Sequence, residues 1–236
     1  MENPMIDLVT KTLVLNTGSA EKKRNEILTY FHKTYDIDEK LYETLRYGET
    51  FYMRADPLRH PLIFYLGHTA AFFINKLVTA RIIDQRVNPE YESMFAVGVD
   101  EMSWDDLNES NYNWPKVQDV RNYRNKVRSQ VDHLIKTIPL EMPINWDHPW
   151  WVIMMCIEHE RIHLETSSVL IRQLPIEQVI QHPFWKICEV WGEALQNELI
   201  DVPGGEVVLG KNRDHPLYGW DNEYGRILEE VKPLDR

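Results

Sequence analysis

The sequence predicts a mainly α fold, in which a four-helix bundle is followed by a short, incomplete α+β segment. Four segments of about 24 residues repeat apolar side chains every three or four positions, as amphipathic helices do. After about residue 195 the composition changes to glycines and a Val-Val-Leu run, which is typical of a strand with turns. With 236 residues, 43% of them hydrophobic, the chain is long enough for one sizeable core.

The first two predicted helices cover about residues 22–45 and 60–83. In the first, Ile27 and Phe31 belong to an apolar stripe, and Lys and Glu fill the opposite face. The second is apolar nearly all round, and Pro61 suits its first turn. We expect it to lie buried among the other helices, because its Arg, Lys, Asn and His residues exclude a membrane span.

The last two predicted helices cover about residues 116–138 and 148–173, with Asp147 as the N-cap of the fourth. Each ends before a proline, Pro139 or Pro175, because the residue that precedes a proline avoids helical geometry. Four helices of this length, each about 36 Å long, favour a four-helix bundle.

The connection over residues 84–115 is longer than an ordinary loop, and such a connection usually serves function or packs over a site. It is rich in Trp and Asp, and we expect part of it to border a functional site. Packing and capping are the commoner roles of such residues, so none is assigned to catalysis. The residues in question are Asp100, Glu101, Trp104, Asp105 and Asp106.

A domain boundary is predicted near residues 198–202, which gives a helical domain over 1–199 and a second segment over 200–236. The second segment is too short to bury a core of its own. We therefore expect it to be only the start of another domain.

Charge and cysteine content exclude several classes of protein. The formal net charge is −11, and no block of Lys and Arg could follow a phosphate backbone, so nucleic acid is not an expected partner. No stretch reaches the ~18 apolar residues of a bilayer span, and the N-terminus has no basic region leading into an apolar segment. Two cysteines, Cys156 and Cys188, are too few for a disulfide framework. We expect a cytoplasmic protein with no membrane partner.

Two histidines on the fourth helix indicate a metal site. His159 and His163 are four positions apart, so their side chains stack on one helix face and can reach the same ion. Apolar residues flank them on that face, which therefore points into the bundle. Hydrogen-bonded core histidines are the simpler alternative, but two neutral imidazoles in a core are costly unless they are bonded or coordinated.

A third ligand is expected from a facing helix. His68 ranks first, because it lies mid-helix on the most apolar helix, where an unpartnered imidazole is hard to accommodate. His133 ranks lower as a solvated residue, and Cys156 as a small buried hydrophobe. Four further histidines lie beside prolines, where loop or helix-start roles are the rule: His60, His148, His182 and His215.

Glu165 lies two residues beyond His163 and about 200° further round the helix, so it cannot bind the same ion. A surface pair with Arg161 is one interpretation of this residue. The other is an outer-shell role, in which its carboxylate orients a ligand histidine.

Residues 159–163 also read His-Glu-Arg-Ile-His, the zinc-peptidase pattern, with Glu160 as the general base. That class needs a third ligand downstream, where only Glu189 or Glu193 is a candidate. An upstream ligand such as His68 has the wrong topology for such an enzyme. A zinc peptidase is therefore a minor alternative.

Several segments resemble the 5-histidylcysteine sulfoxide synthase family, the iron enzymes of ovothiol biosynthesis. Its first domain is matched by 57–77 (PLRHPLIFYLGHTAAFFINKL), 98–109 (GVDEMSWDDLNE) and 158–175 (EHERIHLETSSVLIRQLP). The start of its second domain, of the formylglycine-generating-enzyme or sulfatase-modifying-factor type, is matched by 202–211 (VPGGEVVLGK) and 218–225 (YGWDNEYG). The resemblance implies a DinB-like bundle that holds iron through one early histidine and an H-x-x-x-H-x-E motif. The corresponding residues are His68, His159 and His163, with Glu165 as the acid that is not a ligand.

The resemblance also implies Fe(II) as cofactor and cysteine, histidine and O2 as substrates, with the cysteine sulfur joined to the imidazole ring and oxidised to a sulfoxide. Three neutral ligands leave the 2+ charge of the metal uncompensated and favour a thiolate in an open position. Zinc could hold that thiolate but could not activate O2.

In the family, a tyrosine thought to assist the chemistry lies in the second domain and a methyltransferase domain follows, so no catalytic residue is assigned here. We expect iron binding but weak or no synthase activity from this chain alone. Three alternatives stay open. They are an ergothioneine-type synthase acting on γ-glutamylcysteine and trimethylhistidine, a DinB-like metal-dependent thiol transferase, and a structural bundle with packed histidines.

Overall fold

A computed structural model describes residues 11–96, 112–186, 192–199, 201 and 203–233. Five α-helices and a two-stranded sheet lie within these residues: α1 (Ala20–Tyr42), α2 (Leu62–Thr79), α3 (Pro89–Met94), α4 (Val117–Thr137), α5 (Pro149–Gln173), β1 (Gly205–Leu209) and β2 (Ile227–Val231). Short 3-10 helices lie at Gly48–Tyr52, Ile176–Gln178 and Asp221–Glu223. The predicted mainly α fold with four long helices is confirmed.

Local chemistry sets the starts of the long helices. Ser19 caps α1, since its Oγ accepts from the backbone N of Lys22 at 3.3 Å. Pro61 occupies the position directly before α2. The predicted N-cap of α5, Asp147, is wrong by one residue. His148 is the N-cap, because its Nδ1 accepts from the backbone N of Trp150 at 3.2 Å.

α2 lies at the centre of the bundle, where it packs against both α4 and α5, and α1 packs against the same two helices. It is also the one helix in the described part of the chain with the length and hydropathy of a membrane span. However, 72% of it is buried inside the protein, as in the core helix of a soluble bundle. The predicted burial of this apolar helix is confirmed.

A buried cation joins the four long helices. Arg124 on α4 is fully buried. Its guanidinium donates to Asp38 Oδ2 (2.9 Å) and Glu39 Oε1 (2.6 Å) of α1, to Leu66 O (2.7 Å) and Thr69 Oγ1 (2.7 Å) of α2, and to Glu160 Oε1 (3.3 Å) of α5. Because a buried ion pair that loses a partner leaves an uncompensated charge, this network ties the helices to one arrangement.

The long connection between α2 and α4 contains the short helix α3, which the sequence did not predict. Buried Glu92 anchors it: Oε1 accepts from the backbone N atoms of Val87 and Asn88, both at 2.8 Å. Asn75 of α2 donates to the Glu92 carbonyl at 2.8 Å. This anchoring holds the end of α3, at Phe95, against α2. The acidic and aromatic residues singled out between 100 and 106 lie outside the described residues.

The C-terminal segment is an antiparallel hairpin beyond the bundle. The strand predicted near residue 205 is confirmed as β1, and every residue of β1 and β2 is exposed. The chain between the strands attaches to the bundle instead. Leu15 N donates to the Pro216 carbonyl at 2.6 Å, and buried Tyr218 packs on Trp151 with ring centroids 5.0 Å apart. The division into domains at residues 199 and 200 stays a prediction.

Candidate metal centre

Three buried histidines meet between α2 and α5. His68 comes from α2, and His159 and His163 come from successive turns of α5. The Nε2 atom of His159 lies 3.3 Å from that of His68 and 3.1 Å from that of His163. The three side chains are only 3%, 8% and 9% exposed, respectively. The structure therefore brings together the three residues that the sequence selected, as a group that could hold a metal ion.

The spacing of the three nitrogens suits one shared ion. With metal–nitrogen bonds of about 2.1 Å, two ligand nitrogens lie about 3.0 Å apart at a right angle and about 3.4 Å apart at the tetrahedral angle. The observed separations of 3.1 and 3.3 Å fall between these limits. The geometry thus fits three adjacent positions of a mononuclear centre.

A backbone carbonyl fixes the proton of His68. Its Nδ1 lies 2.6 Å from the Phe95 carbonyl oxygen, which can only accept, so Nδ1 carries the hydrogen and Nε2 presents its lone pair to the cluster. One proton on His159 Nε2 can satisfy only one of its two short contacts with neighbouring nitrogens. A cation satisfies all three lone pairs at once, and this is the strongest argument that the donor set fits a metal.

Burial keeps the α5 ligands neutral. Loss of hydration lowers the pKa of His159 well below its usual value, with repulsion from His163 and His68 adding to the effect. Burial also lowers the pKa of His163, to about 3, again with a contribution from His68. Both imidazoles are therefore unprotonated at neutral pH, as metal ligands must be.

Aromatic rings hold the ligands in place. Phe72 of α2 stacks on His159, with ring centroids 3.5 Å apart and ring planes 9° apart, and Lys76 Nζ lies 5.0 Å from the centroid of the Phe72 ring. A Cβ on Gly67 would come within 2.5 Å of the Phe95 ring, so only glycine lets Phe95 pack beside His68. None of Phe72, Gly67 and Phe95 was predicted from the sequence to support the ligands. The position of Phe72, one turn after His68, was the available signal.

Glu160 lies in the Arg124 network rather than at the metal centre. It is fully buried, and its Oε1 accepts from Arg124 Nη2 at 3.3 Å. The general base of a zinc peptidase must instead reach a water on the metal. This arrangement argues against the peptidase alternative.

Glu165 lies apart from the three histidines. Its side chain is exposed, and it borders an apolar groove together with Arg161. Among the described residues, no hydrogen bond joins its carboxylate to His68, His159 or His163. Its predicted outer-shell role stays a prediction.

The remaining candidates take the roles that the sequence favoured. His133 is exposed, and burial raises the pKa of the Cys156 thiol far above its usual range. His182 Nε2 lies 2.8 Å from Glu43 Oε2, and His215 Nδ1 accepts a hydrogen bond from the backbone N of Leu217 at 3.3 Å. The predicted zinc-peptidase ligand Glu193 lies in the exposed 192–199 segment, and Glu189 lies outside the described residues.

A cavity of about 310 Å³ opens beside His163, between the start of α2 and the second half of α5. Its walls are partly apolar, with Phe64 and Leu170 among them. Its charged groups are Asp56 and Arg59, both from the turn that precedes α2. A small molecule in this cavity would therefore touch a metal ligand and two side chains of opposite charge.

Comparison with known proteins supports the same interpretation of the bundle. The family model of the DinB superfamily matches residues 30–167, more than half of the chain and a range that includes all three histidines. The chain is also 26% identical over 182 residues to ergothioneine biosynthesis protein 1 of Neurospora crassa. That match covers 70% of this chain but only 20% of the relative, so the chain spans about a fifth of the relative's length. Taken with its four-helix architecture, the family match means that the chain belongs to the DinB superfamily.

Proposed function

We propose that this chain is the iron-holding part of a non-haem iron(II), O2-using sulfoxide synthase that joins the sulfur of cysteine to the imidazole of histidine, as in ovothiol biosynthesis. The observation that carries the proposal is the buried group of three neutral histidines within a DinB-type bundle. The similarity to a fungal protein of ergothioneine biosynthesis supports an enzymatic role of this kind.

The donor set supports thiol chemistry. Three neutral imidazoles add no negative charge, so a bound divalent ion would attract a thiolate to an open position. Iron(II) would supply O2 activation there, which zinc, without redox chemistry, would not. The protein's own contribution is to keep His159 and His163 deprotonated by burial and to orient His68 through the Phe95 carbonyl. Phe72 stacks on the ring of His159 and so helps to hold that ligand in place.

An ergothioneine-type synthase is the second candidate, favoured by the name of the 26% identical relative. The segment that favours the ovothiol branch by resemblance, residues 98–109, lies outside the described residues. Oxygen consumption separates the two candidates: cysteine with histidine should be used by the first, and γ-glutamylcysteine with trimethylhistidine by the second. A thiol transferase would consume no O2 with either pair.

We also propose a cytoplasmic location, in keeping with a buried reduced thiol at Cys156.

Anaerobic Fe(II) titration is the test of the metal site. We expect one iron per chain, and His159→Ala should weaken iron binding at least about 100-fold, because removing a ligand costs more than removing an outer-shell partner. His133→Ala, an exposed histidine on α4, is the matched control and should bind iron like the wild type. Equal affinity and stoichiometry for wild type and His159→Ala would contradict the ligand assignment.

A further inference from the structure

The cavity beside His163 is lined by one cation. Arg59 lines it, and within the described residues no carboxylate lies within ion-pair distance of the Arg59 guanidinium. Its side chain instead lies within hydrogen-bonding reach of the hydroxyl of Tyr65. Tyr65 in turn packs against the metal ligand His163, with ring centroids 5.8 Å apart. Tyr65 thus connects the metal ligand His163 to the Arg59 guanidinium.

The turn that carries Arg59 is held in one shape. Arg54 donates to the carbonyl oxygens of Pro57 (2.6 Å) and Arg59 (3.1 Å). The backbone N of Leu58 donates to Asp56 Oδ1 at 2.7 Å. Because these bonds fix the backbone, the guanidinium of Arg59 and the second oxygen of Asp56 are presented from a pre-organised turn, which lowers the cost of binding a ligand.

We propose that this cavity binds the head group of an amino-acid substrate, with the α-carboxylate on Arg59 and Tyr65 and the ammonium group on Asp56. The inference rests on the proposed function, since it takes the metal centre as the place where the substrate's side chain reacts. An arginine fork matches a carboxylate, and the opposite charges of Asp56 and Arg59 match a zwitterion. The volume of about 310 Å³ has room for one amino acid and excludes a large peptide.

Calorimetry on the full chain loaded with Co(II), carried out anaerobically, tests this. The ligands are cysteine and its methyl ester, which keeps the sulfur and the amine but removes the carboxylate charge, and histidine with its methyl ester as a second pair. We expect at least one of the two amino acids to bind about tenfold tighter than its ester, which is the size of one charge-assisted hydrogen bond. A cobalt–thiolate absorption band reports independently whether cysteine sulfur reaches the metal.

Arg59→Gln should abolish the preference for the acid over the ester while leaving Co(II) binding and ester binding unchanged. Arg59→Lys should restore part of it. Arg46→Gln, an exposed arginine bonded to the Val179 carbonyl, is the matched control and should keep the full preference. Preference for histidine alone would support the site with histidine as its occupant. Equal binding of acids and esters by the wild type would overturn the inference while leaving the metal centre in place, whereas failure to bind Co(II) would overturn the proposed function and this inference together.

Discussion

The bundle and the C-terminal hairpin use apolar side chains in opposite ways. In the bundle, large side chains such as Trp150 are fully enclosed, and the polar group of Arg124 that enters the core has partners on every side. In the hairpin, Val208 is 51% exposed and Leu228 is 57% exposed. Only the connecting chain, through Tyr218, enters the core. The metal centre therefore lies within a closely packed core. Within the described residues, no other element packs over the two strands, and a lone two-stranded hairpin is only marginally stable.

The largest effect is expected from removing the cation at the centre of the bundle. Arg124→Met leaves Asp38 and Glu160 buried without their counter-charge, so the free energy of unfolding should fall by about 3–5 kcal/mol. Urea unfolding measures the loss. Lys136→Met, which breaks an exposed pair with Asp132 on the same helix, should cost at most about 1 kcal/mol. Equal, small losses for both variants would show that the network does not hold the helices together.

A single methyl group should disturb both the core and the metal centre. In Gly67→Ala the new Cβ would lie 2.5 Å from the Phe95 ring, so the ring and its carbonyl must shift. Overpacking of this kind costs about 1–3 kcal/mol of stability. Loss of the bond from His68 to the Phe95 carbonyl should also weaken metal binding by about 10- to 100-fold. Co(II) affinity and urea unfolding measure the two effects, and Gly48→Ala, whose Cβ would meet open space, is the control.

The surroundings of Gly67 also show which features of the site could not be predicted from the sequence. The helices follow from apolar periodicity, and His68 was selected because an imidazole on so apolar a helix needs a partner. The carbonyl that orients His68 has no sequence signature, because every residue carries one and only the tertiary fold decides which is near. The short helix α3, which delivers it, has six residues, too few for periodicity to reveal. The N-cap of α5 moved from Asp147 to His148 because both side chains can accept a hydrogen bond and only the local backbone selects one.

Acid should destabilise the metal-free bundle through its ligands. The pKa of His163 is about 3 in the folded protein and about 6.5 when unfolded, so the unfolded chain binds more protons below pH 6.5. The stability that this neutral imidazole contributes is complete above pH 6.5 and is lost as pH falls toward 3. Its share of the loss between pH 6.5 and 5 should be roughly 1.5 kcal/mol. Urea unfolding of chelator-treated protein measures this, and His163→Gln should flatten the profile by that amount. An unchanged profile would contradict the burial of the neutral ligand.

Phe72 tests whether stacking orients a ligand that lacks a hydrogen-bond partner. His159 Nδ1 is buried and accepts or donates no hydrogen bond among the described residues, so the parallel ring of Phe72 is its main constraint. Phe72→Leu removes a contact worth about 0.5–1.5 kcal/mol, so Co(II) affinity should fall about threefold to tenfold. The visible spectrum of bound Co(II) should broaden as the ligand loosens. Phe72→Tyr keeps the stack and should restore both properties, whereas equal loss in both variants would assign the effect to general packing.

The smallest expected effect belongs to the hairpin. Val208→Thr changes a side chain that is half exposed on a strand with no cover, so the free energy of unfolding should change by no more than about 0.5 kcal/mol. The hydroxyl keeps the β-branched shape that strands favour, so only lost apolar burial would register. Urea unfolding at two protein concentrations measures it. A loss of unfolding free energy above about 1 kcal/mol that grows with protein concentration would mean that a second copy of the chain packs on the strand face in solution. The hairpin would then be buried like the bundle core, which would contradict the comparison.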